Sequence, residues 1–310
     1  MADRIVPSKT TVFKEGDKQH LVFGEAYDRI SSVGRTLEDF GLKEGIEYAF
    51  AAWTADVACD VIEAAVKRQP FNKRTVIEQI DGWAYEEVDV SKWPPEQIKK
   101  YLARHPRNML NAAADRGTLT HALLGWAQAN GWPDPRNVRH LVEDWTSTGR
   151  WLCDVDEAAA CMASLANWAV VHDLKLVLVE PAVWCHRLKV AGRVDAYAVY
   201  QDELWLIDVK TRASVSGPRV EQVVQLAGYG GCHSALGADG EVLAPQWQRA
   251  GCLVCAPDGA NLYEVTDMKK WQTMFTKALA LKRATASVAG MTKGHGKVSL
   301  DLSVMLEVAG

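Results

Sequence analysis

The chain has 310 residues, of which 48% are hydrophobic and 24% charged, with a net charge of −4 at neutral pH. This is ordinary globular material, long enough for one large domain or two small ones. No stretch approaches the roughly eighteen apolar residues of a membrane span. The N-terminal MADRIVPSKTTVFKEGD has no apolar signal core, so a cytoplasmic protein without a membrane partner is expected. Seven cysteines without regular spacing fit reduced thiols better than a disulfide framework.

Residues 1–40 mix short strand-like pieces with turns and lead into a helical pattern, GIEYAFAAWTADVACDVIEAAVKRQ. After Pro70 a polar, helix-forming stretch precedes Trp93-Pro94-Pro95, and PPEQIKKYLARH reads as a helix with proline in its first turn. A further helix is expected from Asn108 to Asn130, then two more over Pro135–Gly149 and Val155–His172. From Leu174 the pattern turns strand-like: LKLVLVEPAVW, GRVDAYAVY and LWLIDVKT follow one another. Gly217-Pro218 precedes a helix, RVEQVVQLAGYGGCHSAL, and AGCLVCAP and NLYEVT form a hairpin-like pair around Pro-Asp-Gly. A last helix, DMKKWQTMFTKALALKRATA, leads to a Gly-rich polar segment in which Lys293, His295 and Lys297 read as a solvated tail. The expected organisation is a mostly helical region over 1–110, a small mixed sheet flanked by helices over 111–285, and a tail over 286–310.

Chemistry concentrates between residues 190 and 229. Asp195 lies in one strand, QDE turns the chain, and LWLIDVKT returns with Asp208 and Lys210. Residues i and i+2 of a strand share a face, and an antiparallel neighbour can bring Asp195 opposite them. Charges on a hairpin are commonly solvated, but Asp208 ends a nearly continuous apolar run, where a charge is expensive unless paired or metal-bound. Carboxylate oxygens suit magnesium or manganese, and a lysine beside the metal can orient or deprotonate a water. A net charge of −4 does not advertise a nucleic-acid binder. Arg187, Lys189, Arg193, Lys210, Arg212 and Arg219 nevertheless fall around the hairpin, so local positive charge is available.

Three more elements surround this hairpin. Gln225 and Tyr229 share a helix face at i, i+4 spacing, Glu180 ends the preceding strand, and RGTLTHALLGWA sets His121 behind Gly117-Thr118. The ordered set from Arg116-Gly117-Thr118 and His121 through Glu180, GRVDAY, IDVKT and QLAGY resembles the PD-(D/E)xK nuclease superfamily, in particular its RecB-like and Cas4-like exonuclease branch. The resemblance covers about Asp115 to Asp267; the stretch from Ser31 to Thr54 is more loosely like exonucleases of actinobacterial phages.

The resemblance implies a restriction-endonuclease-like α+β core and a divalent-metal-dependent DNA exonuclease serving phage or bacterial recombination, repair or replication. His121, Asp195 and Asp208 would hold magnesium or manganese, as one ion or two, with the carbonyl of Val209 contributing. Lys210 would be the catalytic lysine and Glu180 an assisting acid, while Gln225, Tyr229, Arg116 and Arg212 would meet DNA phosphates. Implied partners are linear duplex or single-stranded DNA ends and a single-strand annealing or recombination protein. A homo-oligomer is compatible, and the compartment is the host cytoplasm if the chain is phage-encoded. An imidazole ligand favours manganese at least as much as magnesium. Val194 replaces the proline that names the motif, and Gly125 stands where relatives often carry an acid. An iron–sulfur cluster is not expected, because Cys59, Cys232, Cys252 and Cys255 lack the required downstream triad and Cys252 and Cys255 face opposite sides of a strand. The rival readings are a structure-specific or single-strand endonuclease with the same site, and a nonenzymatic DNA-binding protein on a decayed nuclease fold.

Overall fold

A computed structural model describes residues 13–16, 19–37, 74–79, 82–87, 94–147, 151 and 153–292. Short strands β1 (Phe13–Lys14), β2 (Gln19–Val22) and β3 (Glu25–Arg29) lead into helix α1 (Ile30–Leu37), and β4 (Arg74–Gln79) pairs with β5 (Gly82–Glu87) as a hairpin. Helix α2 (Pro95–Asn130) starts with proline in its first turn and ends at Gly131, whose φ of 83° lets its N–H reach the carbonyl of Ala127. A 3-10 turn, Pro135–Asn137, precedes α3 (Val138–Thr146). Helix α4 (Val155–Val171) is capped by Asp154, whose carboxylate accepts from the N–H groups of Asp156 and Glu157.

The remaining elements are β6 (Lys175–Val179), β7 (Ala182–Cys185), β8 (Val190–Arg193), β9 (Ala196–Tyr200), β10 (Glu203–Thr211), α5 (Val220–Gly230), β11 (Ser234–Gly237), β12 (Gly240–Leu243), β13 (Arg249–Ala256), β14 (Gly259–Glu264) and α6 (Met268–Thr292). The strands form a mixed seven-stranded sheet, β1-β2-β3-β8-β7-β11-β12, and a mixed five-stranded sheet, β14-β13-β10-β9-β6. The α/β architecture thus contains two sheets where one small sheet was expected. A single ribbon links them. Residues 175–185 and 190–200 run antiparallel, and both arms break together at Glu180-Pro181 and Val194-Asp195. Proline cannot donate to a ladder, so regular strand geometry stops there; two backbone hydrogen bonds, Glu180 to Asp195 and Val194 to Pro181, still cross, and each arm passes from one sheet into the other.

Side chains of β10 alternate between two cores. Trp205, Ile207 and Val209 pack with Leu119 and Leu123 of α2 and Met162 and Leu165 of α4, whereas Leu206 packs with Val224 and Tyr229 of α5 and Phe275 of α6. Asp208 and Lys210 therefore lie on the α5 side. Strands β10 and β13 are parallel, which requires a crossover, and α5 lies on that crossover. The β9–β10 turn has both central residues in left-handed conformation, Gln201 at φ 53° and Asp202 at φ 60°, as a two-residue hairpin demands.

Several elements differ from the sequence expectation. The helix expected after Pro70 is partly the β4–β5 hairpin, where β-branched Thr75, Val76 and Ile77 outweigh the surrounding polar residues. The described part of residues 1–110 carries five short strands beside α1 and the first half of α2. The helices expected on either side of Pro106 are one helix, α2. The helix after Gly217 stops at Gly230, so Ser234–Gly237 pairs as a strand with β7 and β12. The pattern over residues 45–69, with Trp53 and Cys59, and the tail from Lys293 onward lie outside the described residues. Among the described residues no helix is long and apolar enough to cross a membrane.

Candidate functional site

The register of the β9–β10 hairpin pairs Ile207 with Ala196, so one step further sets Asp195 across from Asp208. There the ribbon break has released Asp195 from the ladder. Its carboxylate turns to accept a hydrogen bond from the N–H of Val209 at 2.6 Å. Asp208 is completely buried, and Lys210 Nζ stands 2.6 Å from its Oδ2 and 3.7 Å from Asp195 Oδ2. At 2.6 Å Lys210 is both the ion-pair and the charge-assisted hydrogen-bonding partner of Asp208, and no other donor among the described residues reaches either oxygen. Lys210 also donates to the carbonyl of Val209 at 3.2 Å.

Opposite Asp195 on the ribbon, Glu180 sits at the other half of the break. Its N–H donates to the carbonyl of Asp195 at 3.0 Å, and its φ of 50° is a left-handed conformation unusual for glutamate. Arg193 braces the strained residue by donating to the Glu180 carbonyl at 3.0 Å. Helix α2 then brings His121 to both acids. Its Nδ1 lies 3.5 Å from Glu180 Oε1 and 3.7 Å from Asp195 Oδ1. One helix and two opposed strand breaks thus converge three acids, an imidazole and an ammonium.

Burial is the main electrostatic fact. It pushes the Asp208 carboxyl up to about 6, against the pull of Lys210 and with the help of Asp195. Burial also works to neutralise Lys210, but Asp208 and Asp195 outweigh it and hold the ammonium firmly protonated. Tyr229 is 4% exposed, and burial together with the charges of Asp195 and Asp208 keeps its phenol protonated. Gln225 Nε2 donates to the Tyr229 hydroxyl at 3.1 Å. The ring fits only because residue 192 is glycine: a Cβ there would stand 2.8 Å from Tyr229 Cε1.

Arg116 and Arg212 are engaged outside this cluster. Arg116 is ion-paired with Glu157 of α4, and its side chain is only 12% exposed. Arg212, just past the end of β10, donates to Ser216 Oγ at 3.1 Å and to Gln222 Oε1 at 2.7 Å. Of the other basic residues near the hairpin, Lys189 pairs with Glu25 and Arg193 with Glu15. Cys252 and Cys255 lie in different cores, as strand alternation requires.

Beside the acids, α2 and the end of β6 border an open cleft of about 640 Å³. Gly117, Thr118, His121, Gly125, Gln128 and Glu180 are among the residues that line it. Only His121 and Glu180 of these were anticipated from sequence as site residues. The signal for the rest was the spacing of small residues along one helix face, which by itself reads as ordinary packing.

A carboxylate partnered among the described residues only by a lysine, a second carboxylate opposite it, a strand carbonyl and an imidazole make a donor set suited to magnesium or manganese. Asp208, Asp195, Val209 and His121 would supply it. Among the described residues, no three His, Cys, Asp or Glu side chains stand as a ready-made cage; the lysine holds the two carboxylates here. Comparisons with protein-family models and with curated proteins return no match for this chain.

Proposed function

We propose that the chain is a divalent-metal-dependent deoxyribonuclease on a PD-(D/E)xK core, acting as an exonuclease in phage or bacterial DNA recombination, repair or replication. One observation carries the reading: two opposed carboxylates, one of them with no exposure, share a single partly buried ammonium. Such an arrangement is costly for a fold that needs only stability, and ion pairs of this kind are readily replaced by apolar residues. It suits a reaction that must gather negative charge.

Hydrolysis of a phosphodiester needs an attacking water, stabilisation of added negative charge and departure of the 3′ oxygen. A bound magnesium or manganese ion would supply Lewis acidity and lower the pKa of water. Asp195 and Asp208 provide the anionic seat, and the Val209 N–H fixes the orientation of the first. Lys210, held protonated by these carboxylates, acts as fixed positive charge toward the phosphate and does not take the water's proton. His121 lies within reach of both Glu180 and Asp195, at the mouth of the cleft where substrate would enter.

A single-strand endonuclease with the same site is the second reading. It is favoured by the cleft, which continues along α2 on both sides of His121. The test uses end-labelled linear DNA and covalently closed circles with magnesium, manganese or chelator, and wild type beside Lys210→Ala. An exonuclease degrades the linear molecule, spares the circle and is silenced by chelator. Loss of the closed circle would replace the first reading by the second, and intact linear DNA under every metal would end both.

A further inference from the structure

We infer that Arg193 is a positioning residue for the metal seat: it holds the backbone of Glu180 in the left-handed turn that brings the glutamate to His121. The inference rests on the nuclease reading and assigns one more residue to the same site. Glu180 is caught between two local preferences. It precedes Pro181, and a residue before proline favours extended backbone; its φ of 50° is instead one that residues with a Cβ rarely adopt. Such a conformation persists only where the surroundings impose it. Two hydrogen bonds impose it here: the Glu180 N–H donates to the Asp195 carbonyl at 3.0 Å, and Arg193 Nη1 donates to the Glu180 carbonyl at 3.0 Å.

The carboxylate itself has little to hold it. The Glu180 side chain is 47% exposed, and its ionic partner among the described residues is His121 Nδ1 at 3.5 Å. Its place beside the imidazole and at the edge of the cleft is therefore set by the backbone. A return of φ to about −120°, as in a strand, rotates the Cβ away from its present direction. Arg193, by contrast, is anchored at three points. It ends β8 opposite Ala182, its Nε pairs with Glu15, its guanidinium lies over the Phe13 ring at 5.7 Å, and its remaining arm meets the Glu180 carbonyl. Phe13 in turn stacks on Trp184, with ring centroids 6.3 Å apart. An exposed ion pair with Glu15 alone would contribute little to stability. A planar guanidinium that serves a carboxylate, an aromatic face and a backbone carbonyl together fixes their relative positions. The aromatic face of the seven-stranded sheet thus reaches the acids of the metal seat through one side chain.

The test is a pair of double-mutant cycles. The first reads melting temperature in chelator for wild type, Arg193→Ala, Glu180→Gly and the double variant. Glycine takes a positive φ without strain, so Arg193→Ala should lower the melting temperature of wild type more than that of Glu180→Gly. The second reads manganese affinity by electron paramagnetic resonance, without DNA, for wild type, Arg193→Ala, Glu180→Ala and the double variant. Arg193→Ala should weaken binding about tenfold when Glu180 is present and leave the Glu180→Ala protein unchanged. Equal losses of melting temperature in both backgrounds overturn the inference. So does a manganese affinity that Arg193→Ala leaves alone, or lowers equally with and without Glu180; the nuclease reading then survives as long as wild type binds manganese. If wild type binds none, the nuclease reading falls and the melting cycle alone decides the brace.

Discussion

Two corners of this protein, one around Trp184 in the seven-stranded sheet and one around Asp208 in the five-stranded sheet, treat polar groups differently. In the seven-stranded sheet, Trp184 is fully buried and its indole N–H meets Glu241, which also meets His186; His186 in turn meets the Tyr27 hydroxyl at 2.8 Å. Lys189 pairs with Glu25 at the rim. The network is an aromatic corner, with Phe23 stacked on His186, and its polar atoms have found partners. In the five-stranded sheet, a fully buried carboxylate has a single lysine drawn in against it as its partner among the described residues. Neutral, fully shared polar networks rigidify a fold, whereas a buried carboxylate costs stability. The proposed function draws on that difference, which can be broken by substitutions in each sheet.

The largest effect is expected on activity. Lys210→Ala removes the ammonium beside the two carboxylates and should lower hydrolysis of linear DNA about a thousandfold, measured as initial rate in saturating manganese. A variant within a few fold of wild type would remove the five-stranded sheet from the account. In the other sheet the same severity should appear in stability instead. Trp184→Ala deletes a fully buried indole and should cost about 3–5 kcal/mol by chemical denaturation.

Asp208→Asn should change how stability depends on pH. The carboxyl is raised from 3.8 to about 6 by burial, so the folded protein binds a proton that the unfolded chain has released across that window. Stability contributed by the protonated form is complete below about pH 4 and lost as pH rises toward 6. Asparagine removes the loss. In chelator the stability of the variant relative to wild type should therefore rise between about pH 4 and 6 and level off on either side. Thermal melts from pH 3.5 to 7.5 read this out; curves that stay parallel across the range would deny the burial argument. The smallest change is expected at the exposed rim of the larger sheet, where Lys189→Ala breaks a solvated ion pair and should leave the melting temperature at the wild-type value.

How far sequence alone reached depends on the range of the interactions. Asp208 and Lys210 share a face because of strand period, and Asp195 opposes Asp208 because a two-residue turn sets the register; both were legible in IDVKT, GRVDAY and QDE. His121 was legible as a candidate only through its place in an ordered pattern, since its approach to Glu180 and Asp195 spans 59 and 74 residues of chain. The break that frees Asp195 was not read. Pro181 signalled an interruption in one arm, but that the partner arm breaks opposite it and that two sheets diverge from there is a tertiary fact. The aromatic corner was invisible for the same reason, its Tyr27–His186 contact joining residues 159 apart. The β4–β5 hairpin was a different kind of miss. Its β-branched run was present in the sequence, and the polar residues around it suggested a helix.

The central claim is that the buried carboxylate of Asp208 serves catalysis at the expense of the fold. Measuring melting temperature in chelator and hydrolysis of linear DNA in manganese on the same preparations of wild type and Asp208→Asn tests it most directly. Relative to wild type, the variant should gain melting temperature between about pH 4 and 6, and it should cut at less than about a thousandth of the wild-type rate. A variant that gains nothing across that window, or that cuts linear DNA as wild type does, would contradict it.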